Sequence, residues 1–269
     1  MATSLLGNSF FGSLVAEHRA WLSAFDPQYL GNWEKLLKDD EEAALTEAGV
    51  RRLLQQRNVN VRPNEDLTGK QQRSDFHCQV SKGHFYVEAT CISVEKATEI
   101  TGLVDGANVA LRPSSLNRKV FWESVSKAKQ VSNHDAPVLV AIGTFHGVAS
   151  MVSFSPPYLD MLLTGSTTMT VAIDKKTLQS SDLPLETDLS WATFLKPDAA
   201  NGIGFARSSI SGLLLCGLSL EPTWVVGVLH PNPARSFDSS NLPMISFGKV
   251  QIDRQNGSLS TKWIGGSNE

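Results

Sequence analysis

The segment "QQRSDFHCQVSKGHFYVEATCI" (Gln71–Ile92) contains two runs of alternating apolar and polar residues, one on each side of "SKG". This pattern is typical of a β-hairpin. Because side chains along a strand point alternately to its two faces, Glu88 and Thr90 should share one face, and Val87 and Ala89 the other. A carboxylate inside an apolar strand is costly unless it is paired or bound to a metal. The segment therefore raises the question of what neutralises Glu88.

A second acid, Asp75, lies at the start of the first run. A hairpin that turns near Lys82 and Gly83 would bring Asp75 and Glu88 together across the strand pair. Two carboxylates at one point repel each other unless a cation lies between them. Oxygen ligands of this kind favour Mg²⁺, for which Mn²⁺ can substitute. The hairpin therefore predicts a divalent-cation site.

The segment before the hairpin offers a third acid. "DDEEAALTEAGVRRLLQQRN" has acids at its start and arginines towards its end, as the helix dipole favours, and it predicts a helix over residues 40–57. On that helix Glu47 lies close in angle to Val50 and Leu54, so its side chain should point inward. The alternative is an ion pair with Arg51, four residues further on.

The segments after the hairpin predict a helix and a buried strand. "SSLNRKVFWESVSKAKQVSN" opens with a serine cap and predicts a helix over residues 114–132. "APVLVAIGTF" (136–145) predicts a strand that is covered on both faces. Residues 95–113, which precede the helix, are predicted to be an irregular connection. At about 100° per residue, Lys127 flanks the apolar side of the helix and Lys129 points away from it.

A helix acid, "SDF", a hairpin, "VEAT", a helix with "KAK" and an apolar strand follow one another in this chain. Over about residues 40–145 this order resembles the PD-(D/E)XK nuclease superfamily. The resemblance implies an α/β fold with a mixed central β-sheet flanked by helices, and Mg²⁺-dependent cleavage of phosphodiester bonds, with DNA as the expected substrate. It makes Asp75 and Glu88 metal ligands, Glu47 a further or water-mediated ligand, and the Ala89 carbonyl another candidate ligand.

Two residues depart from the pattern of that superfamily. Ser74 replaces a proline that serves the loop rather than the chemistry. Thr90 stands in place of a lysine that helps to position the attacking water and to stabilise developing negative charge. Thr90 can form a hydrogen bond but carries no charge. Lys127 is the candidate to supply the missing charge from the following helix, with Gln130 one turn away.

Two other interpretations stay open. In the first, the protein keeps the nuclease fold without turnover and acts as a nucleic-acid-binding or scaffolding module, which Thr90 favours. In the second, it is an α/β protein of unrelated role in which Glu88 is simply salt-bridged. Convergence of Glu47, Asp75 and Glu88 would argue against the second interpretation. Access of Lys127 to the same place would weaken the first.

The composition limits the kind of partner that the protein can bind. Its 269 residues are 41% hydrophobic and 19% charged, and the formal net charge of -3 argues against a large non-specific footprint on DNA. Any basic surface must be local, and its candidates lie close to the hairpin in sequence: Arg51, Arg52, Arg57, Arg62, Lys70, Arg73 and Lys82.

Three cysteines without zinc or disulfide spacing indicate a reducing compartment. No apolar run is long enough for a membrane span, and no signal peptide is recognisable. We therefore expect a cytoplasmic protein that does not enter a membrane, with a homodimer as one assembly it could form. The predicted division is an N-terminal helical segment, a nuclease-like core and a C-terminal β-rich extension packed on the core: 1–39, 40–160 and 161–269.

The C-terminal half contains several further strand signals. The apolar runs "MVSFS" (151–155), "ISGLLLCGLSL" (210–220) and "TWVVGVLH" (223–230) each predict a strand. The dipeptide Asn256-Gly257 between two alternating runs predicts a second hairpin. This half therefore supports the β-rich character of the predicted extension.

Overall fold

The structure, a computed structural model, describes eight segments of the chain: 5–68, 73–103, 113–131, 134–169, 185–200, 202–219, 223–253 and 257–266. Seven α-helices lie within these segments: α1 (Ser9–Leu22), α2 (Pro27–Asp39), α3 (Glu41–Gln55), α4 (Val94–Thr101), α5 (Pro113–Gln130), α6 (Gly147–Ser153) and α7 (Pro156–Thr164). The same segments contain twelve strands: β1 (Asn60–Pro63), β2 (Phe76–Val80), β3 (Gly83–Cys91), β4 (Val138–Thr144), β5 (Ser166–Met169), β6 (Leu185–Asp188), β7 (Leu195–Asp198), β8 (Gly202–Phe205), β9 (Gly212–Gly217), β10 (Trp224–Leu229), β11 (Phe247–Ile252) and β12 (Leu259–Ile264).

A mixed sheet of eight strands forms the centre of the fold, in the order β1-β2-β3-β4-β9-β10-β11-β12. Strands β1, β2 and β3 form an antiparallel meander, and β3 then runs parallel to β4. Parallel neighbours need a crossover connection, and α4 and α5 lie in the segment that makes it. The predicted α/β fold with a mixed central sheet flanked by helices is therefore confirmed. Two small antiparallel pairs, β5 with β6 and β7 with β8, complete the described strands.

Strand β4 shows how helices cover both faces of the sheet. All seven of its residues are buried. Leu139 belongs to the same apolar cluster as Leu54 of α3, whereas Val140 belongs to the cluster that contains Val120 of α5. Alternate residues of β4 thus pack against different helix layers, as the continuous apolar run over 136–145 predicts. The acids of interest lie on the neighbouring strand, β3.

Two segments are helical where the sequence analysis predicts another structure. Residues 94–101 form α4 rather than an irregular connection, because Ser93 caps the helix by accepting a hydrogen bond from the Lys96 amide (3.2 Å) and Gly102 ends it at a φ of 68°. The rest of that connection, 104–112, lies outside the described residues. Residues 151–153 of the strand predicted over 151–155 belong to α6, which His146 caps through its ring nitrogen.

The C-terminal strands continue the central sheet. Strand β9 runs parallel to β4, with Leu139 opposite Gly212 and Thr144 opposite Gly217, across the boundary predicted between residues 160 and 161. Strands β11 and β12 pair as an antiparallel hairpin, although Asn256 of its predicted turn lies outside the described residues. In the described part of the chain, no helix is both long and apolar enough to cross a membrane.

Candidate metal centre

The β2–β3 hairpin brings Asp75 and Glu88 to one end of the strand pair. Its register sets Phe76 opposite Val87, so Asp75, one residue earlier, comes opposite Glu88. The Asp75 Oδ2 atom accepts a hydrogen bond of 2.6 Å from the Ala89 amide, which fixes this carboxylate against β3. Glu88 is only 2% exposed, so its carboxylate depends on protein partners.

Lys127 reaches Glu88 from the last turn of α5. Its Nζ atom donates a hydrogen bond of 2.6 Å to Glu88 Oε1 and another of 3.2 Å to Gln130 Oε1. The Gln130 Nε2 atom donates to the same Glu88 oxygen at 2.8 Å. Lys127 and Gln130 are neighbours on the helix surface at a spacing of three residues. The structure therefore places an ammonium and an amide together on one carboxylate oxygen.

Glu47 of α3 belongs to the same electrostatic group. Burial raises the pKa of Glu47 well above its usual value. The negative charges of Asp75, Glu65 and Glu88 add to this rise, and the positive charge of Lys127 opposes it. Three carboxyl groups and one ammonium thus act on Glu47, so carboxyl groups outnumber ammonium groups at this point of the molecule.

The pKa values of the other three groups move as expected for a crowded acidic site. Burial raises the pKa of Asp75 well above its usual value, and the charge of Glu88 adds to the rise. Burial also raises the pKa of Glu88, and Lys127 offsets part of that effect. Burial alone would lower the pKa of Lys127, but Glu88, Asp75 and a further acid outweigh it, so the ammonium stays charged. The single ammonium of Lys127 therefore interacts with several carboxyl groups.

Glu65 is a member of this group that the sequence analysis did not identify. It lies in the loop after β1, where the Asn64 amide donates a hydrogen bond of 2.9 Å to the Asp75 carbonyl. The Asn32 side chain donates to Glu65 Oε2 at 3.4 Å, and burial raises the pKa of Glu65. The polar loop over 62–73 has no periodicity that singles out one acid, so only the pairing of β1 with β2 reveals Glu65.

Thr90 faces α5 one strand repeat beyond Glu88. Its hydroxyl donates a hydrogen bond of 3.4 Å to Glu123 Oε2, and Glu123 in turn pairs with Lys119 at 2.5 Å. Thr90 thus contacts an acid of the helix and supplies no charge to Asp75 or Glu88. In this structure the ammonium nearest to Glu88 belongs to α5 and not to β3.

Ser74, which stands in place of the motif proline, anchors the start of the hairpin. It is buried, and its Oγ atom lies 2.9 Å from His134 Nε2, just beyond α5. The other ring nitrogen of His134 lies 3.2 Å from the Val131 carbonyl. The residue before Asp75 is therefore tied to the same helix end that carries Lys127.

Arg51, one of the basic residues near the hairpin, does not lie on an exposed surface. Arg51 is buried and donates hydrogen bonds to Gln55 (2.7 Å) and His18 (3.4 Å), so it cannot belong to an exposed phosphate-binding surface. Because these contacts direct the Arg51 side chain to Gln55 and His18, Arg51 does not form the alternative ion pair with Glu47. Lys70 lies outside the described residues.

The carboxylates are not gathered as a complete ligand set in this conformation. Over the described segments, no three His, Cys, Asp or Glu side chains are placed closely enough to hold a metal ion. One atom nevertheless lacks a well-aligned partner, because Glu88 Oε2 is buried and accepts no hydrogen bond of normal geometry from any residue that the structure describes. The backbone of Asp75 still lowers the pKa of Glu88 through a weaker hydrogen bond to its carboxylate. A buried acceptor without a partner is costly, and a divalent cation is a ligand that would satisfy it.

Comparison with family models, with curated proteins and with solved structures finds no significant match to this chain. The resemblance to the PD-(D/E)XK superfamily therefore rests on the quoted motifs and stays a prediction. What the protein does has to be argued from the chemistry of Asp75, Glu88, Glu47 and Lys127.

Proposed function

We propose that this protein is a Mg²⁺-dependent nuclease that hydrolyses phosphodiester bonds in DNA, in the cytoplasm. The contact of 2.6 Å between Lys127 Nζ and Glu88 Oε1 carries the proposal. It supplies, beside the buried Glu88 and the half-buried Asp75, the positive charge that Thr90 cannot supply from the strand. Strongly shifted pKa values that arise from burial together with defined charge partners favour a functional site over a purely structural ion pair.

The donor atoms at this place suit a hard divalent cation. Asp75 and Glu88 would hold Mg²⁺ or Mn²⁺, with the Ala89 carbonyl and Glu47 as further ligands. The orphaned Glu88 Oε2 atom and the excess of carboxylates over ammonium groups support this assignment. When bound, such an ion polarises the scissile phosphate and lowers the pKa of a bound water.

The protein side chains have separate tasks in this proposal. The Ala89 amide holds one oxygen of Asp75, and Gln130 holds Lys127 against Glu88. Lys127 would place its ammonium where negative charge develops on the phosphate in the transition state. Such preorganised charge is often the largest single contribution to catalysis, because no reorganisation is needed during the reaction.

A second candidate function is a nuclease-fold protein without turnover, which binds nucleic acid or serves as a scaffold. It is favoured by one observation, namely that Glu88 Oε1 already accepts two hydrogen bonds while the described acids form no ligand set. In that case the pair of Lys127 and Glu88 is permanent, and the protein should bind no divalent cation at this place.

Calorimetric titration with MnCl₂ and with MgCl₂, alongside a plasmid-nicking assay, tests the proposal. The wild type should bind the cation and nick supercoiled plasmid, and the double variant Asp75→Ala/Glu88→Ala should do neither. Absence of cation binding by the wild type would remove the metal centre altogether. Cation binding by the wild type without nicking of plasmid or of single-stranded DNA would keep the metal centre but overturn the nuclease. Absence of cation binding is the outcome that favours the second candidate function.

The role of Lys127 needs a variant of its own. Lys127→Met should keep Mn²⁺ binding, while nicking falls by about 10² to 10³, the usual loss for one transition-state donor. Lys119→Met is the matched control, because Lys119 is likewise a lysine of α5 in an ion pair, but its partner is Glu123 and not Glu88. Equal nicking by the Lys127→Met variant and the control would show that Lys127 has no catalytic role.

A further inference from the structure

An aromatic and basic face of the hairpin lies next to the proposed metal centre. The register sets Arg62 of β1 opposite His77 of β2, and His77 opposite Tyr86 of β3. Directly paired residues of neighbouring strands project to the same face. His84 projects there too, two residues before Tyr86. We call the four side chains of Arg62, His77, His84 and Tyr86 the hairpin platform.

The three rings of the hairpin platform form one group. The ring centroid of His77 lies 5.4 Å from that of Tyr86 and 5.1 Å from that of His84, and the centroids of His84 and Tyr86 are 5.8 Å apart. The side chain of His84 is 41% exposed, and Arg62 is exposed as well. Burial lowers the pKa of His77, and the nearby His84 and Arg62 add to this effect.

The hairpin platform is continuous with the acids through β3. Tyr86 and Glu88 are two residues apart on the same face of that strand, a separation of about 7 Å. A chain molecule that contacts Tyr86 therefore has its next unit beside the strand position of Glu88, where Lys127, with 19% of its side chain exposed, is more accessible than Glu88. This continuity distinguishes the platform from exposed aromatic residues elsewhere on the surface, such as Trp224.

Charge along the platform favours an anionic ligand on one side. Arg62 marks the outer edge of the sheet, and the positive charge of Arg73 acts on Tyr86. Asp135 lies at the opposite side, where it accepts a hydrogen bond from the Tyr86 hydroxyl (3.1 Å) and lies 3.9 Å from His84. A phosphate backbone would therefore follow the side of Arg62, and the bases would lie over the rings.

We propose that the hairpin platform stacks the bases of single-stranded nucleic acid and leads its backbone to Glu88 and Lys127. The inference deepens the proposed nuclease function and rests on it. Stacking on Tyr86 and His77 requires free base faces, which a single strand offers and a continuous duplex does not. Aromatic stacking also tolerates any base, because every base has a π-face.

Fluorescence anisotropy with a dye-labelled oligo(dT) of about 12 nucleotides, in EDTA, tests the inference. The wild type should bind this strand more tightly than a duplex of equal length. His77→Ala and Tyr86→Leu should each weaken binding by about fivefold to a hundredfold. Tyr86→Phe should bind like the wild type because it keeps the ring. Oligo(U) in a parallel titration distinguishes RNA from DNA.

Two control variants lie far from the hairpin platform in the sheet. Trp224→Ala removes an exposed ring from β10, and Lys262→Ala removes an exposed cation from the opposite edge strand, β12. Both should leave oligonucleotide binding unchanged. Arg62→Ala should weaken binding to the single strand and reduce its dependence on salt.

The outcomes separate this inference from the proposed function, because EDTA removes divalent cations and no cleavage is required. Platform-dependent binding without nicking would overturn the nuclease and keep the platform. Nicking with unchanged oligonucleotide binding in His77→Ala and Tyr86→Leu would overturn the platform and keep the nuclease. Absence of binding by the wild type, or equal binding of single strand and duplex, would also overturn the platform.

Discussion

Replacing Lys127 by methionine measures how far Glu88 depends on a single partner. Methionine keeps an apolar stem of similar length but removes the ammonium that lies 2.6 Å from Glu88 Oε1. The Glu88 side chain is 2% exposed, so water cannot replace the lost partner without a rearrangement. Gln130 still donates its hydrogen bond of 2.8 Å to the same oxygen. The variant therefore leaves a buried carboxylate with one neutral donor.

The expected loss of stability follows from burial. Removing one partner of a fully buried ion pair costs about 3–5 kcal/mol, whereas an exposed pair contributes about 0–1 kcal/mol. The Lys127 side chain is 19% exposed, which places this pair near the buried limit. Because the bond from Gln130 remains, we expect a decrease of about 2–3 kcal/mol in the free energy of unfolding.

Urea unfolding in EDTA at neutral pH provides the assay, with Lys119→Met as the control. Lys119 pairs with Glu123 within α5, and their side chains are 32% and 16% exposed, so its replacement should cost only about 0.5 kcal/mol. The double variant Glu88→Gln/Lys127→Met should lose less than the sum of the two single variants. A loss below about 0.5 kcal/mol for Lys127→Met would refute the dependence of Glu88 on Lys127.

Two further predictions concern the stability of the fold. The raised pKa of Glu47 means that its carboxyl proton is held more tightly in the folded state than in the unfolded chain. Glu47 should therefore destabilise the folded protein as the pH rises above about 4.5. Urea titrations at several pH values measure the free energy of unfolding, and Glu47→Gln should remove its decrease with rising pH. Glu34→Gln is the control. A hydrogen bond lowers the pKa of Glu34, so this carboxyl stabilises the protein as the pH rises, and its replacement should remove that stabilisation. Gly227→Ala should lower the free energy of unfolding by about 1–3 kcal/mol in the same assay, because the added Cβ atom would lie 2.1 Å from the ring of the buried Phe247. Gly12→Ala in α1, with open space around its Cβ, should not destabilise the protein, and equal costs for both glycine variants would contradict this packing.

The local elements could be predicted because each has its own pattern in the sequence. Alternation on both sides of "SKG" predicts the hairpin, and the structure pairs His77 with Tyr86 as that hairpin requires. The acids at the start of 40–57 and the serine that opens 114–132 predict helices that the structure places at α3 and α5, although α5 already begins at Pro113, so Ser114 lies inside its first turn. The angle of Lys127 on its helix also followed from counting residues, because helical periodicity is fixed by backbone geometry.

The non-local arrangement could not be predicted in the same way. Nothing in the run over 210–220 indicates that β9 pairs with β4, because strand pairing depends on the packing of the whole sheet. Glu65 joins the acids only because β1 pairs with β2 and the Asn64 amide contacts Asp75. The helix α4, in contrast, was predictable from local signals. Ser93 and Gly102 are the usual start and stop signals of a helix, but the sequence analysis did not use them.

The spacing of α5 against β3 explains how a lysine of the helix can serve a site that is built on the strand. Glu88 and Thr90 are two residues apart on β3, about 7 Å, and Glu123 and Lys127 are four residues apart on α5, about 6 Å. These distances match closely enough for Thr90 to contact Glu123 while Glu88 contacts Lys127. Two successive positions on this face of the strand, Glu88 and Thr90, thus each have a helix residue opposite them. A positively charged side chain can therefore be carried by the helix instead of the strand and still act on the same atoms. For this reason, a motif defined along the strand alone would classify the site as incomplete.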